Sequence, residues 1–268
     1  MLERKYFLGE IKNGVALITI NRPRILNILD LDVLAELVEI LDELQDEDSA
    51  KILVLTGAGE KAFCAGDDVK PMLYLDAKQA RQWVNLGQQT LHKIEEYEKP
   101  VIAAINGYAV GGGLELALAC DIRVASEKAK FGVPEVKLGV TVSFGGAQRM
   151  PRLIGPGMAK YLTMSGKIID AQEAYRIGLV EFLTPHEQLM DTVMKIAGEI
   201  TEKSQTAVQL QKAVVNHGQD MDIRTACRYE AYLMATCYAT EDQLEGMTAF
   251  VEKRPPVFTG KYRKNEKL

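Results

Sequence analysis

The sequence is short of the residues on which several kinds of chemistry depend. It has 3 histidines, 4 cysteines and 1 tryptophan among 268 residues. Nor is there an excess of positive charge: 32 Lys and Arg stand against 37 Asp and Glu, a formal net charge of -5. The cysteines (Cys64, Cys120, Cys227, Cys237) form no C-x-x-C pair and match no zinc spacing, so they read as reduced thiols. His92, His186 and His217 are scattered, without a partner at metal-ligand or triad spacing, which assigns them surface or capping places. Ser143, in Val142-Ser143-Phe144-Gly145, is not in a G-x-S-x-G elbow, so serine nucleophilic catalysis has little support. The mild acidity lacks the basic footprint of a nucleic-acid binder. It leaves room for an anionic ligand held by local cations and backbone N–H groups. The longest apolar-rich stretch, 101–120, carries Asn106, Glu115 and several glycines, which suits a buried strand and helix better than a membrane span. The opening Met1-Leu2-Glu3-Arg4-Lys5 has no apolar signal-peptide stretch, and a cytoplasmic protein is expected.

What the sequence does have is core material. A hydrophobic fraction of 47% with 26% charged residues excludes disorder and a disulfide-dense scaffold. Residues 6–12 and 15–20 flank Asn13-Gly14, a dipeptide that tolerates the positive φ of a tight hairpin turn. Asp30 or Asp32 can cap a helix with apolar positions Leu34, Leu37, Val38, Leu41 and Leu44 at helical spacing. Buried-type strands are expected at 51–56 and 101–105, another strand at 122–125, and helices at 81–97 and 114–120. The stretch between the first strand and Asp68 reads as a loop, 107–113 as a glycine-rich turn, and 129–146 as mostly loop. From about residue 171 strand signals nearly vanish. The expected organisation is an α/β core over 1–190, carrying the active site, and a helical region over 191–268.

Gly57-Ala58-Gly59-Glu60-Lys61-Ala62 fits G-x-G-x-x-A after a strand, but that dinucleotide fingerprint must open a helix, and Phe63-Cys64-Ala65-Gly66 breaks the pattern. A tight loop is the better reading. The segment from Gly111 to Cys120 is more informative. A glycine run entering a helix lets backbone approach a ligand closely, and the first N–H groups of a helix lack internal partners, the requirement of an oxyanion-binding site. Glu115 is the ionisable residue among apolar neighbours in that helix. It reads either as a catalytic carboxyl whose pKa burial raises or as a helix-start Glu bonded to free amides. Glu135, in Phe131-Gly132-Val133-Pro134-Glu135, reads either as a loop acid or as a second carboxyl sharing acid and base duties with Glu115 across a cleft.

Taken together, these segments resemble the enoyl-CoA hydratase (crotonase) family along nearly the whole chain. Asn21-Arg22-Pro23-Arg24-Ile25-Leu26-Asn27 is similar to its N-terminal CoA-binding loop, and Lys61-Ala62-Phe63-Cys64-Ala65-Gly66-Asp67-Asp68 to a loop that supplies one oxyanion N–H. Asn106-Gly107-Tyr108-Ala109-Val110-Gly111-Gly112-Gly113-Leu114-Glu115 resembles the second oxyanion loop and first catalytic Glu. Phe131-Gly132-Val133-Pro134-Glu135 resembles the segment with the second Glu, at the separation the family's hydratases use. Gly145-Gly146-Ala147-Gln148-Arg149 and the stretch from Gly246 to Arg254 are further family signatures.

The resemblance implies an α/β crotonase-like spiral of ββα turns with a C-terminal helical trimerisation region, giving a homotrimer or homohexamer. It implies Glu115 and Glu135 as catalytic residues, the N–H groups of Asp67 and Gly112 as the oxyanion hole, and Arg24, Leu26, Lys61, Ala65, Asp68, Phe250 and Lys253 as CoA-binding residues. Phe250 and Lys253 would reach a neighbouring subunit's CoA. The implied activity is reversible hydration of a 2-enoyl-CoA, without metal or redox cofactor and with CoA as part of the substrate. Another acyl-CoA lyase or an isomerase of the family is the alternative. The sequence departs from the family pattern at Asp67, where small uncharged residues are usual, and at Val142-Ser143-Phe144, where a Pro-Gly-containing stretch is usual.

Overall fold

A computed structural model describes residues 2–263, so residue 1 and residues 264–268, the outer ends of the two expected regions, lie outside the described residues. β1 (Leu2–Glu3) pairs antiparallel with β2 (Phe7–Lys12), and β2 with β3 (Val15–Ile20). The turn between β2 and β3 has φ of 53° at Asn13 and 82° at Gly14, as the dipeptide requires. Of the two candidate caps for α1 (Leu31–Gln45), Asp30 is the one used, its carboxylate accepting from the Val33 N–H at 3.0 Å. α1 buries Val33, Leu34, Leu37, Ile40, Leu41 and Leu44, while Val38 stays half-buried.

From there the chain repeats one move three times. A buried strand is followed by a short strand in a second sheet, and then by a helix. The first turn is β4 (Ile52–Gly57), β5 (Ala62–Cys64) and α2 (Ala77–Glu95). The second is β6 (Val101–Ile105), β7 (Tyr108–Val110) and α3 (Gly112–Ala119). The third is β8 (Ile122–Ser126), β9 (Lys130–Gly132) and α4 (Gly146–Ser165), with a 3-10 turn at Pro134–Leu138 between the last two. β10 (Ile169–Asp170), α5 (Ala171–Arg176) and β11 (Phe182–Thr184) complete the core. One sheet runs β1-β2-β3-β4-β6-β8-β11, parallel from β3 onward, and the other runs β10-β9-β7-β5. This is the expected spiral of ββα turns.

Several expectations are corrected. The stretch 129–146 is not mostly loop: it holds β9 and the 3-10 turn that carries Glu135. The loops expected after β4 and β6 contain β5 and β7. Strand structure continues beyond residue 171 as β11. α3 begins at Gly112 rather than residue 114; Gly113 lies against Cys64, whose carbonyl oxygen would be 2.0 Å from any Cβ placed there, so only glycine fits.

The expected boundary at residue 190 falls inside α6 (Leu189–Thr201). That helix belongs to the core, because its Leu189, Val193 and Ala197 pack on Val15, Ile52, Val54, Ile102, Ala104 and Val124 of the large sheet. Burying a Leu, Ile or Val side chain stabilises the fold by about 1.5–3 kcal/mol. Beyond it lie α7 (Gln205–Gly218), α8 (Ile223–Cys237) and α9 (Glu241–Glu252). Neither α7 nor α8 has a buried residue. Apolar side chains such as Ile223, Tyr232, Phe250 and Val251 are exposed there.

Candidate active site

The site grows from two loops laced together. Leu26 and Asn27 both take positive φ, 59° and 57°, which turns residues 22–29 back toward the end of β5. The buried Asn27 amide fastens this turn: Nδ2 donates to the carbonyls of Ala58 at 3.0 Å and Ala62 at 2.8 Å, and Oδ1 accepts from the Arg22 N–H at 3.0 Å. The Ala65 N–H donates to Leu26 O at 3.0 Å, Leu29 N–H to Gly66 O at 2.8 Å, and Asp68 N–H to Leu29 O at 2.8 Å. Five of the residues expected at the CoA therefore share one surface region: Arg24, Leu26 and Lys61 exposed, Ala65 and Asp68 half-buried.

A third segment closes on this pair. Gly111 takes φ of 57° as the N-cap of α3, and its N–H donates to Gly132 O at 2.9 Å. A Cβ on Gly66 would stand 3.8 Å from both the Gly111 Cα and the Gly112 nitrogen, so the two loops abut. As the first residue of α3, Gly112 has no intrahelical acceptor for its N–H. Among the described residues the Asp67 N–H likewise has no protein acceptor. The structure thus brings the two expected oxyanion donors onto adjoining backbone.

Glu115 is buried, one turn into α3. Its Oε1 accepts from the Gly146 N–H, the first of α4, at 2.7 Å. Burial pushes its pKa up to about 7, opposed by that N–H and reinforced by the charge of Glu135. Glu135 sits on the 3-10 turn, with Oε1 3.1 Å from where a Cβ on Gly111 would stand. Its Oε2 is buried without a hydrogen-bond partner, and burial raises its pKa. The two glutamates therefore face one cleft, close enough for their charges to interact. The carboxyl of Asp67 joins them. Burial, then Glu115 and Glu135, push it up to about 7. Three acidic groups so placed cannot all ionise cheaply, and protons are retained among them near neutral pH.

Other expected residues lie apart. Phe250 is exposed on α9, and Lys253 is its left-handed C-cap. Among the described residues no hydrogen bond or ion pair ties either to the cleft. His92 pairs with Glu95, His186 with Ser126, and His217 with Glu96 and Tyr229. Cys64 and Cys120 are buried thiols that burial pushes up to about 12. Among the described residues no group of three or more His, Cys, Asp or Glu is arranged to hold a metal ion, and no helix is long and apolar enough to cross a membrane. A cavity of about 1050 Å³ is lined by Glu95, Asp121, Arg149 and Lys212, and neither Glu115 nor Glu135 lines it. Those four charges are paired, Arg149 with Glu95 at 2.7 Å and Lys212 with Asp121 at 2.8 Å.

Sequence reasoning did not single out Asn27 or Gly146. The signal for Asn27 was its place at the end of the N-terminal loop motif. That for Gly146 was the glycine pair opening a helix, yet neither discloses which backbone atoms they reach.

Three ββα windings, with a glycine-capped helix presenting a buried acid to the neighbouring loops, define an enzyme of the crotonase fold. Comparison with known proteins narrows this. A family model described as enoyl-CoA hydratase/isomerase matches residues 10–261. The chain is 49% identical over 252 residues (94% of this chain, 97% of the relative) to the crotonyl-CoA hydratase of Syntrophomonas wolfei. It is 46% identical over 253 residues (94% and 97%) to the short-chain-enoyl-CoA hydratase of Clostridium acetobutylicum. Among solved structures, the enoyl-CoA hydratase from Bacillus anthracis matches with a TM-score of 0.92 at 41% identity, over 96% of this chain and 100% of that one. The chain belongs to the enoyl-CoA hydratase/isomerase family.

Proposed function

We propose that the chain catalyses reversible addition of water to a 2-enoyl-CoA, giving a 3-hydroxyacyl-CoA, in the turnover of fatty-acyl thioesters. The observation that carries this is the convergence of Glu115 and Glu135 on one cleft beside the Asp67 and Gly112 N–H groups. The thioester oxygen accepts from those two N–H groups, which polarises the conjugated double bond. Each such donor is worth about 3–4 kcal/mol when charge develops on the oxygen. Water held between the glutamates adds its oxygen to Cβ and gives a proton to the carboxylate member of the pair. The protonated member delivers a proton to Cα, so the sum is one water added. A raised pKa suits Glu115 to carrying a proton near pH 7. No metal or redox cofactor enters this scheme. The names of the two relatives, which specify crotonyl and short-chain substrates, support the same reading.

Arg24, Lys61 and the backbone around Leu26, Ala65 and Asp68 would hold the CoA, with positive charge placed locally against the sign of the whole chain. The exposed apolar residues beyond α6 support an assembly role for the region after residue 190, as a trimer or a hexamer of two trimers. In that assembly Phe250 and Lys253 would contact the CoA of a neighbouring subunit. The absence of a membrane-length apolar helix among the described residues is consistent with the cytoplasmic placement we propose. Mixing the purified protein with crotonyl-CoA tests the reaction: the conjugated-thioester absorbance should fall to an equilibrium value. No loss with crotonyl-CoA or longer 2-enoyl-CoAs contradicts it. An isomerase would instead convert a 3-enoyl-CoA without change of mass.

A further inference from the structure

Of the three carboxyls in the cleft, Asp67 is the one that the hydration scheme does not use. Its backbone N–H is assigned to the thioester oxygen, and covalent geometry keeps its side chain close to that N–H. Its carboxyl therefore stands beside the reacting end of whatever acyl group binds. Its Oδ2 lies 2.6 Å, and its Oδ1 3.1 Å, from where a Cβ on Gly112 would be. Glu135 occupies the equivalent place over Gly111. Two adjacent glycines thus seat two carboxyls side by side. Asp67 Oδ1 is closed to solvent and has no hydrogen-bond partner, and the same holds for Glu135 Oε2. Among the described residues none of Asp67, Glu115 and Glu135 has an ion-pair partner, whereas Arg24 and Lys61 lie on the laced loops at the expected CoA end.

We propose that Asp67 is a specificity-determining residue that turns away acyl groups carrying a second carboxylate near the reacting carbons and admits uncharged or hydroxylated ones. A buried, unpartnered carboxyl oxygen leaves room for a ligand donor or for nothing charged. A hydroxyl can donate to it, and an alkyl group brings no like charge against it. A further carboxylate meets like charge at short range, where screening by water is weak. Among the described residues no cation pairs with these carboxyls to offset that repulsion. Selectivity of this kind works by rejecting the wrong ligand and needs no gain in affinity for the right one.

The inference rests on the hydratase reading, and its test is built to separate the two. Wild type, Asp67→Asn and Asp67→Ala are assayed at pH 8 with crotonyl-CoA, glutaconyl-CoA and 5-methylhex-2-enoyl-CoA, products being identified by mass. The last two share chain length and terminal branching and differ in the carboxylate. Both substitutions keep the backbone N–H, and Asn keeps the shape. The ratio of kcat/KM for glutaconyl-CoA over its uncharged counterpart is expected to rise at least about tenfold in both variants. Because both rates come from one sample, any loss of folded protein cancels. Hydration of crotonyl-CoA with an unmoved ratio overturns the role of Asp67 alone. Failure of wild type to hydrate any of the three overturns the hydratase reading, and this inference with it.

Discussion

The Gly146 N–H donates to Glu115 Oε1 at 2.7 Å, and a Cβ at position 146 would stand 2.7 Å from Glu115 Cγ. The start of α4 therefore holds the carboxyl and leaves no space for it to shift. Gly146→Ala should displace Glu115 by a fraction of an ångström to about 1 Å, and misplacement on that scale costs up to about 100-fold in rate. A fall in kcat with KM little changed is the expected kinetic signature. A variant with wild-type kcat would show that this contact does not position the acid.

Glu115→Gln and Glu135→Gln remove a proton carrier without changing shape. Each should lower kcat by about 10²–10⁴-fold while thioester binding persists. Binding can be followed by calorimetry with a non-reacting acyl-CoA. If both variants stayed fully active, the assigned chemistry would be wrong even with hydration established.

Glu115 also links stability to pH. Its folded-state pKa of about 7 lies above the ordinary carboxylate value, so the neutral form favours the fold. That contribution is complete below about pH 4.5 and is lost as pH rises toward 7. Glu115→Gln should therefore be more stable than wild type at pH 8, by about 2–3 kcal/mol, and the gap should shrink at pH 5. Thermal unfolding at both pH values measures it. An equal gap at the two would contradict a raised pKa.

Asn27 is the latch of the loops proposed to hold the CoA. Asn27→Ala leaves the Ala62 carbonyl without the donor that reaches it at 2.8 Å, and it keeps a left-handed backbone at φ 57°. The expected loss is about 2–4 kcal/mol of stability. In kinetics the loosened loop should raise KM for the thioester more than it lowers kcat. A KM unchanged beside a lowered melting temperature would separate the latch from substrate binding.

The long elements were legible because their pattern is local. β4 and β6 are continuous apolar runs, and α1 repeats its buried residues at helical spacing. β5, β7 and β9 were not. Each is three residues long, and they are extended because they pair with one another across the sequence. The glycines around them read as turn because nothing local says that a second sheet is present. Glu115 and Glu135 were visible as carboxyls in apolar company. Their surroundings were hidden: Gly146 reaches Glu115 across 31 positions, and Asn27 reaches Ala62 across 35. Such bonds follow from the winding of the chain and from no motif. The departure at Asp67 was plain in the sequence, but its seat over Gly112 is a property of the fold.

The chemistry proposed for the Glu115–Glu135 cleft is the addition of water. The most direct measurement is the mass of crotonyl-CoA incubated with the protein in ¹⁸O-labelled water. Wild type should yield a 3-hydroxybutyryl-CoA carrying one labelled oxygen, and the double variant Glu115→Gln, Glu135→Gln should yield none on the same timescale. Recovery of unlabelled thioester of unchanged mass from wild type, or of labelled product from the double variant, would contradict it.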